Sequence, residues 1–190
     1  MVNLTRIYTR TGDDGTTALG DMSRTAKTDP RLVAFADVDE ANSAIGVALA
    51  VGRPGHELRA ILLRVQNELF DVGADLCTPV VPDPAYPPLR ITAGYVERLE
   101  SDCDRFNEGL AALRSFVLPG GTAAAALLHV ARTVVRRAER STWAALAAYG
   151  ESMNPLTARY LNRLSDLLFI LARVANGDEG DVLWVPGGER

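Results

Sequence analysis

Residues 57–76 read ELRAILLRVQNELFDVGADL, and this stretch decides the fold class. Its apolar side chains recur every three or four residues: Leu58, Ile61, Leu62, Val65, Leu69, Val72 and Leu76. That spacing places them on one side of an α-helix, with most of the polar residues on the other sides. Because such a stripe must be buried against neighbouring elements, the stretch predicts one helix of a helical domain.

Four more segments show helical periodicity, and each has recognisable end signals. They cover residues 29–52, 92–109, 122–149 and 154–177. Asp, Thr and Asn are good helix-capping residues, proline suits the first turn, and glycine commonly ends a helix. No segment shows the alternation expected of a strand. The sequence therefore predicts an all-α domain, an up-and-down bundle of four or five helices.

Composition indicates one domain over residues 1–190. The chain has 190 residues and is 47% hydrophobic, which suits a single sizeable core. We divide it into an N-terminal loop segment (1–28), the bundle (30–177) and a polar tail (178–190) that periodicity does not assign. A net charge of −4 argues against a general nucleic-acid-binding protein.

The sequence predicts a cytoplasmic protein that does not insert into a membrane. No run approaches 18 uninterrupted apolar residues, and the first residues lack the pattern of a signal peptide. Cys77 and Cys103 show no Cys-x-x-Cys spacing. They are therefore predicted to be buried thiols without a functional role.

Residues 132–140, RTVVRRAER, contain four arginines in nine positions. Arg132, Arg136 and Arg140 fall on one helical stripe, whereas Val135 and Ala138 can face a core. The stripe predicts an anion-binding surface. The alternative is a solvated helix face on which Glu139 and other acids neutralise the arginines.

Residues 9–17, TRTGDDGTT, combine glycines, threonines and an arginine in a way that suits phosphate. Glycine permits close backbone approach, and threonine hydroxyls add hydrogen-bond donors. Lys27 is a further candidate cation. The segment matches neither the P-loop nor the GxGxxG fingerprint, so an ordinary turn remains the alternative.

The last predicted helix carries a second stripe beside its leucines: Asn162, Asp166, Phe169 and Arg173. Polar and aromatic groups at this spacing can line a cleft. The alternative is a half-exposed helix side on which Asp166 and Arg173 are paired neighbours.

Five sequence blocks, taken together, resemble the ATP:cob(I)alamin adenosyltransferases of the propanediol-utilisation type. The blocks are residues 8–17 with Lys27, 38–43, 116–122, 132–140 and 162–169, and the resemblance covers nearly the whole chain. It implies a homotrimer of ferritin-like helix bundles, with each active site between two subunits. ATP would lie between the N-terminal loop of one chain and the arginine helix of the next.

The resemblance also implies the reaction. The cobalt of cob(I)alamin attacks C5′ of ATP and expels triphosphate, so that adenosylcobalamin forms with ATP, cobalamin and Mg2+ as the required small molecules. No protein nucleophile is needed, which agrees with the absence of a triad arrangement around His56 or His129. A reductase and an adenosylcobalamin-dependent mutase are implied partners.

The resemblance also implies which residues form the site, because they occupy matching positions in or beside the five blocks. Phe116, with Phe169 nearby, would keep a lower axial ligand off cobalt, and Asp39 and Arg132 would form a pair between subunits. Glu139 would orient an arginine or hold Mg2+. The implied ATP contacts are Thr9, Arg10, Thr11, Gly12, Thr17, Ala18, Lys27, Arg136, Arg137, Ala138, Glu139, Arg140 and Asn162.

Some features depart from the family or favour another class. Asp14 stands where the family commonly has a basic residue, and without the resemblance Phe116 would read as a loop anchor in the core. A ferritin-like di-metal site is a poor alternative, since neither histidine completes a Glu-x-x-His pair. A noncatalytic ATP-sensing or cobalamin-carrier trimer would keep the same ATP residues.

Overall fold

The computed structural model describes residues 7–84 and 86–189. Within these residues the chain forms five α-helices: α1 Pro30–Val47, α2 His56–Leu76, α3 Ala93–Asn107, α4 Ala123–Tyr149 and α5 Leu156–Asn176. A π-helical turn, Ala48–Gly52, continues α1, and short 3-10 turns follow α4 and α5. The predicted helical fold is confirmed. The first six residues of the predicted loop segment, Ala85 in the connection between α2 and α3, and Arg190 at the end of the predicted tail lie outside the described residues.

Two of the predicted helix caps make the expected hydrogen bonds. The Asp29 carboxylate accepts from the backbone N–H of Arg31 at the start of α1, over 2.8 Å. The Thr122 hydroxyl accepts from the backbone N–H of Ala125 at the start of α4, over 3.2 Å. Thr92 occupies the N-cap position of α3, but its side chain makes no capping bond. These bonds satisfy donors that a helix leaves unpaired in its first turn.

The hydrophobic core lies between the helices, with α4 packed against both α1 and α5. α3 packs on α5, and α2 packs on α1. The predicted stripe of α2 is buried throughout, from Leu58 to Leu76. At the crossing of the π-turn and α4, a Cβ added to Gly52 would lie 2.8 Å from Cα of Ala124. Only glycine permits the two backbones to approach this closely.

One end of the bundle is joined by the buried side chain of Arg31, which is 2% exposed. Its guanidinium donates to the backbone oxygen of Leu76 over 3.0 Å and to the hydroxyl of Ser152 over 3.1 Å. It also lies 4.6 Å from the ring centroid of Tyr149. The beginning of α1, the end of α2 and the α4–α5 turn are therefore held together next to the N-terminal loop.

The prediction that the chain has no strands is wrong for the N-terminal loop. β1, Thr16–Ala18, pairs antiparallel with β2, Arg24–Ala26, and Thr17 lies opposite Thr25. Strands of three residues are too short to show a periodic pattern, so hydropathy does not reveal them. No helix in the described part of the chain is long and apolar enough to cross a membrane.

Candidate active site

The N-terminal loop is ordered by hydrogen bonds within its own sequence. The Thr9 and Thr11 hydroxyls lie 2.9 Å apart, and the Asp14 carboxylate accepts from both the N–H and the hydroxyl of Thr16, over 2.9 and 2.8 Å. These bonds lower the pKa of Asp14. Arg10 adopts φ 63°, a left-handed conformation that non-glycine residues rarely hold. The loop thus keeps Thr9 and Thr11 exposed on a defined backbone, whereas Thr16 and Thr17 are half-buried.

Two cations of the β2 region lie against this loop. Arg24 donates to the backbone oxygen of Thr11 over 2.8 Å, and its guanidinium lies 3.6 Å from the Asp14 carboxylate. Nζ of Lys27 would lie 3.1 Å from a Cβ added to Gly12. The structure therefore brings together the predicted residues Gly12 and Lys27. It adds Arg24, which no sequence signal identified because the contact depends on the hairpin.

The arginines of α4 separate into two groups. Arg136 and Arg140 are exposed, and neither makes an ion pair or a hydrogen bond with another described residue. Arg137 faces α1 and pairs with Glu40 and, over 3.4 Å, with Asp37. Ala138 is fully buried in the core. Two guanidinium groups of the predicted stripe are thus free to meet an anion, whereas Arg137 is engaged within the chain.

Glu139 on α4 and Asn162 on α5 contact each other beside the free arginines. The Asn162 amide donates to the Glu139 carboxylate over 3.2 Å. One turn along α5, Asp166 pairs with Arg163 over 2.8 Å. The alternative pairing of Asp166 with Arg173 is therefore wrong. The two helices present a polar surface next to Arg136 and Arg140.

A second part of the site surrounds Phe169. The guanidinium carbon of Arg132 lies 6.0 Å from the Phe169 ring centroid, and the His129 ring meets the same phenyl edge-on at 6.0 Å. Burial, and then Arg132, lower the pKa of His129, so this imidazole is neutral near pH 7. Within residues 7–84 and 86–189, both His129 ring nitrogens and Nε of Arg132 lack hydrogen-bond partners.

Asp39 lies on the exposed side of α1. In the described part of this chain it does not pair with Arg132, and neither residue forms another ion pair there. Burial, followed by the neighbouring Arg136, lowers the pKa of Arg132. A half-buried cation without a carboxylate partner costs free energy. Asp39 and Arg132 could therefore each form an ion pair with a residue of another chain.

Phe116 is not a core anchor, because its side chain is 78% exposed. It lies in the loop before α4 and meets Trp184 edge-to-face, with ring centroids 6.0 Å apart. A cleft of about 690 Å³ opens beside the two rings, lined also by Leu113 and Pro186. Among the described side chains, no ring contact joins Phe116 to Phe169. An exposed aromatic at an apolar cleft suits the face of a large flat ligand.

Comparison with known proteins identifies the family. The cobalamin adenosyltransferase family model matches residues 7–175, which include the loop, the arginine helix and Phe116. The chain belongs to the cobalamin adenosyltransferase family. The resemblance found in the sequence is thereby confirmed.

Relatives match this adenosyltransferase family member along almost its whole length. A corrinoid adenosyltransferase of Mycobacterium tuberculosis is 68% identical and covers 100% of this chain and 97% of the relative. One from Bacillus subtilis is 44% identical, covering 92% and 89%. A variant of the PduO-type ATP:corrinoid adenosyltransferase of Lactobacillus reuteri, complexed with cobalamin and ATP, superposes with a TM-score of 0.85. It is 36% identical and covers 95% of this chain and 100% of that one.

Cys103 is buried, Cys77 is half-buried, and both are free thiols. Burial raises the pKa of each thiol to about 11, which keeps them protonated and unreactive at neutral pH. The prediction of a buried thiol is confirmed for Cys103, whereas Cys77 is only half-buried.

Proposed function

We propose that this chain transfers the 5′-deoxyadenosyl group of ATP to cob(I)alamin, forming adenosylcobalamin and releasing triphosphate. The observation that carries the proposal is the guanidinium surface of Arg136 and Arg140, which is unpaired among the described residues, in a member of this family. A triphosphate is the ligand class that such a surface suits, since arginine forms charge-assisted and often bidentate bonds with phosphate.

ATP would lie between the N-terminal loop and the α4–α5 surface. The loop side comprises Thr9, Arg10, Thr11, Gly12, Thr17, Ala18 and Lys27. The helix side comprises Arg136, Arg140, Glu139 and Asn162. The donors and acceptors of the Asn162 amide suit ribose or adenine. The resemblance also implies that Arg137 and Ala138 contact ATP. Ala138 would do so only through the helix backbone. Arg137 would do so through the backbone or after its side chain leaves Glu40.

The reaction is a substitution at carbon. The filled orbital of cobalt in cob(I)alamin forms a bond to C5′ of ATP, while the C5′–oxygen bond breaks and its electron pair leaves with triphosphate. The protein's part is to align cobalt with C5′ and to stabilise the charge of the leaving group. Arg136, Arg140 and Lys27 would provide that stabilisation.

Phe116 would act before the transfer. Cob(II)alamin must gain one electron from a reductase to become cob(I)alamin, and loss of the lower axial ligand makes that reduction easier. The exposed Phe116 ring would occupy the face of cobalt from which the ligand departs, with Phe169 supporting the site from α5. An adenosylcobalamin-dependent mutase would consume the product.

One carboxylate is available for Mg2+. No group of three or more His, Cys, Asp or Glu side chains that could hold a metal ion occurs in residues 7–84 and 86–189, and Glu139 lies on the polar surface beside Arg136. Because Mg2+ is commonly bound by one carboxylate together with substrate phosphates, Glu139 fits an ion that arrives with ATP. Such an ion would neutralise part of the triphosphate charge.

The assembly we propose is a homotrimer with sites between subunits, built from bundles of ferritin-like, up-and-down topology. Its support is that Asp39 is exposed, while the buried Nε of Arg132 has no hydrogen-bond partner in the described part of the chain. Pairing these residues across an interface would satisfy both. Residues 1–28 would then serve the neighbouring subunit. A cytoplasmic location is part of the same proposal, since ATP and the cellular reductants are found there.

The test is anaerobic optical spectroscopy of the purified protein with chemically reduced cobalamin and ATP. Conversion of the cob(I)alamin band to the light-sensitive adenosylcobalamin spectrum would support the transferase. Arg136→Ala should slow the conversion at limiting ATP. ATP binding by calorimetry without any conversion would contradict the transferase and favour an ATP-sensing or carrier protein.

A further inference from the structure

The exposed side of α4 continues past Arg136 and Arg140 to a tryptophan. Trp143 lies three residues after Arg140 and seven after Arg136, so the three side chains fall on one side of the helix. At the usual helical rise, Trp143 is about 10 Å beyond Arg136 along the helix axis. An indole ring therefore follows the guanidinium surface to which the triphosphate is assigned.

The indole of Trp143 is not held by contacts of its ring within the chain. The residue is 47% exposed, and in residues 7–84 and 86–189 it makes no ring contact, cation–π contact or side-chain hydrogen bond. The other tryptophan, Trp184, differs in this respect, because it meets Phe116 edge-to-face. An exposed indole without such a partner is available to a ligand that offers an aromatic face.

The surroundings of Trp143 are the polar residues already assigned to ATP. One turn before it on α4, the Glu139 carboxylate accepts a hydrogen bond from the Asn162 amide over 3.2 Å. Side chains of an α-helix lean toward the N-terminus of their helix, so the indole extends toward the turn that holds Glu139 and Arg140. Trp143 therefore borders the polar surface between α4 and α5.

The other end of this surface lies around Arg132 and Phe169, whose guanidinium carbon and ring centroid are 6.0 Å apart. The corrinoid is assigned to that end, and the triphosphate to Arg136 and Arg140. The part of ATP that remains is its base, which is uncharged, flat and aromatic. A surface of this kind is what an indole ring binds by stacking. Trp143 offers such a ring at the end away from the corrinoid.

We propose that Trp143 stacks on the adenine base of ATP and gives this chain its preference for a nucleoside triphosphate over triphosphate alone. The inference rests on the proposed function, because it assigns the base of the same ATP molecule. Stacking on an aromatic side chain tolerates any base, since every base has a π face. Recognition of the base edge is therefore left to hydrogen-bonding groups such as the Asn162 amide.

The decisive experiment measures the Kd of ATP and of inorganic tripolyphosphate by calorimetry. It compares the wild type with Trp143→Ala, Trp143→Phe and the control Phe70→Ala, which removes an exposed aromatic ring from α2. Trp143→Ala should raise the ATP Kd by roughly five- to a hundredfold, the range expected when a base loses its stacking partner. Its tripolyphosphate Kd should stay within about twofold of the wild-type value.

The two remaining variants show whether an aromatic ring at this position is what matters. Trp143→Phe should recover most of the ATP affinity, because a phenyl ring also stacks on a base. Phe70→Ala should match the wild type with both ligands.

Tryptophan fluorescence tests the same contact without changing Trp143. The sequence contains two tryptophans, so Trp184→Phe leaves Trp143 as the only indole. ATP should quench the emission of this variant as the site fills, because the base stacks on the indole. Tripolyphosphate should leave the emission nearly unchanged.

An unchanged ATP Kd in Trp143→Ala would overturn the inference, as would emission that does not respond to saturating ATP. Equal losses of ATP and tripolyphosphate affinity would also overturn it. So would a loss accompanied by a smaller assembly in light scattering, since the indole would then pack against another subunit. Failure of the proposed function is a different result. In that case wild-type protein would convert no chemically reduced cob(I)alamin, even if the Trp143 variants bind ATP as expected.

Discussion

The side-chain amide of Asn162 on α5 donates a hydrogen bond to the carboxylate of Glu139 on α4, over 3.2 Å. The two residues are 23 positions apart in sequence, and both are proposed to contact ATP. The bond joins the arginine helix to the last helix at the surface where Arg136 and Arg140 lie. It also fixes which Asn162 atom remains free to accept from a ligand.

Asn162→Ala should weaken ATP binding by about five- to thirtyfold, because a hydrogen bond of about 1 to 2 kcal/mol to the nucleotide is lost. Calorimetry would measure the Kd. Asp166→Asn, one turn further along the exposed side of α5, is the matched control and should keep the wild-type Kd. Equal effects in both variants would contradict a specific role for Asn162.

Arg136→Ala should raise the ATP Kd by about ten- to a hundredfold, because a charge-assisted phosphate contact disappears. Arg137→Ala should raise it much less, since this guanidinium pairs with Asp37 and Glu40 on α1. Thermal melting should change little in either case, because exposed ion pairs contribute little stability. A larger binding defect in Arg137→Ala would show that Arg137 leaves α1 to bind ATP.

Phe116→Ala should leave the ATP Kd nearly unchanged and abolish turnover that starts from cob(II)alamin and a reductant. The ring is exposed, so its removal should not unfold the protein. Coupled reduction assays and calorimetry would test the two halves of this expectation. Loss of ATP affinity comparable to that of Arg136→Ala would contradict the assigned roles.

Gly12→Ala should weaken ATP binding by displacing Lys27. The new Cβ would lie 3.0 Å from the backbone oxygen of Thr16 and 3.1 Å from Nζ of Lys27, closer than normal van der Waals contact. Lys27→Met should show the same defect without the steric change. Gly109→Ala is the control, because an added Cβ meets no described atom within 4 Å there. An unaltered ATP Kd in Gly12→Ala would show that the phosphates of ATP do not bind next to Gly12 and Lys27.

His129 should make stability depend on pH in acid. Burial and Arg132 lower its pKa in the folded protein, whereas the unfolded chain has the ordinary value of about 6.5. Below pH 6.5 the unfolded chain therefore binds a proton that the folded protein does not, and the free energy of unfolding falls. Above that pH this contribution is constant.

Thermal melting of wild type and His129→Phe between about pH 7 and pH 5 would measure this effect. The variant should lose less stability on acidification than the wild type. His56→Gln changes the exposed second histidine and serves as the control variant. Parallel curves for wild type and His129→Phe would show that His129 does not titrate differently in the folded protein.

The helices could be predicted from the sequence because the signals that define each helix lie within or next to that helix. The stripe of α2, the caps at Asp29 and Thr122 and the glycine after α5 each lie within one or two turns of the element that they define. The sequence did not predict the hairpin of β1 and β2. Strands of three residues are stabilised by pairing with each other and, in this loop, by the hydrogen bond from Arg24 to the backbone oxygen of Thr11.

The sequence by itself determined the helical class and the family, and it predicted which residue types serve phosphate and corrinoid. Only the tertiary structure decided which of these side chains pair with other residues of the chain and which do not. It engages Arg137 with α1, leaves Arg136 free, pairs Arg173 with Asp181 instead of Asp166, and sets Trp184 against Phe116. Helical spacing specifies the direction of a side chain on its own helix. The partner it meets depends on the packing of segments that are distant in sequence.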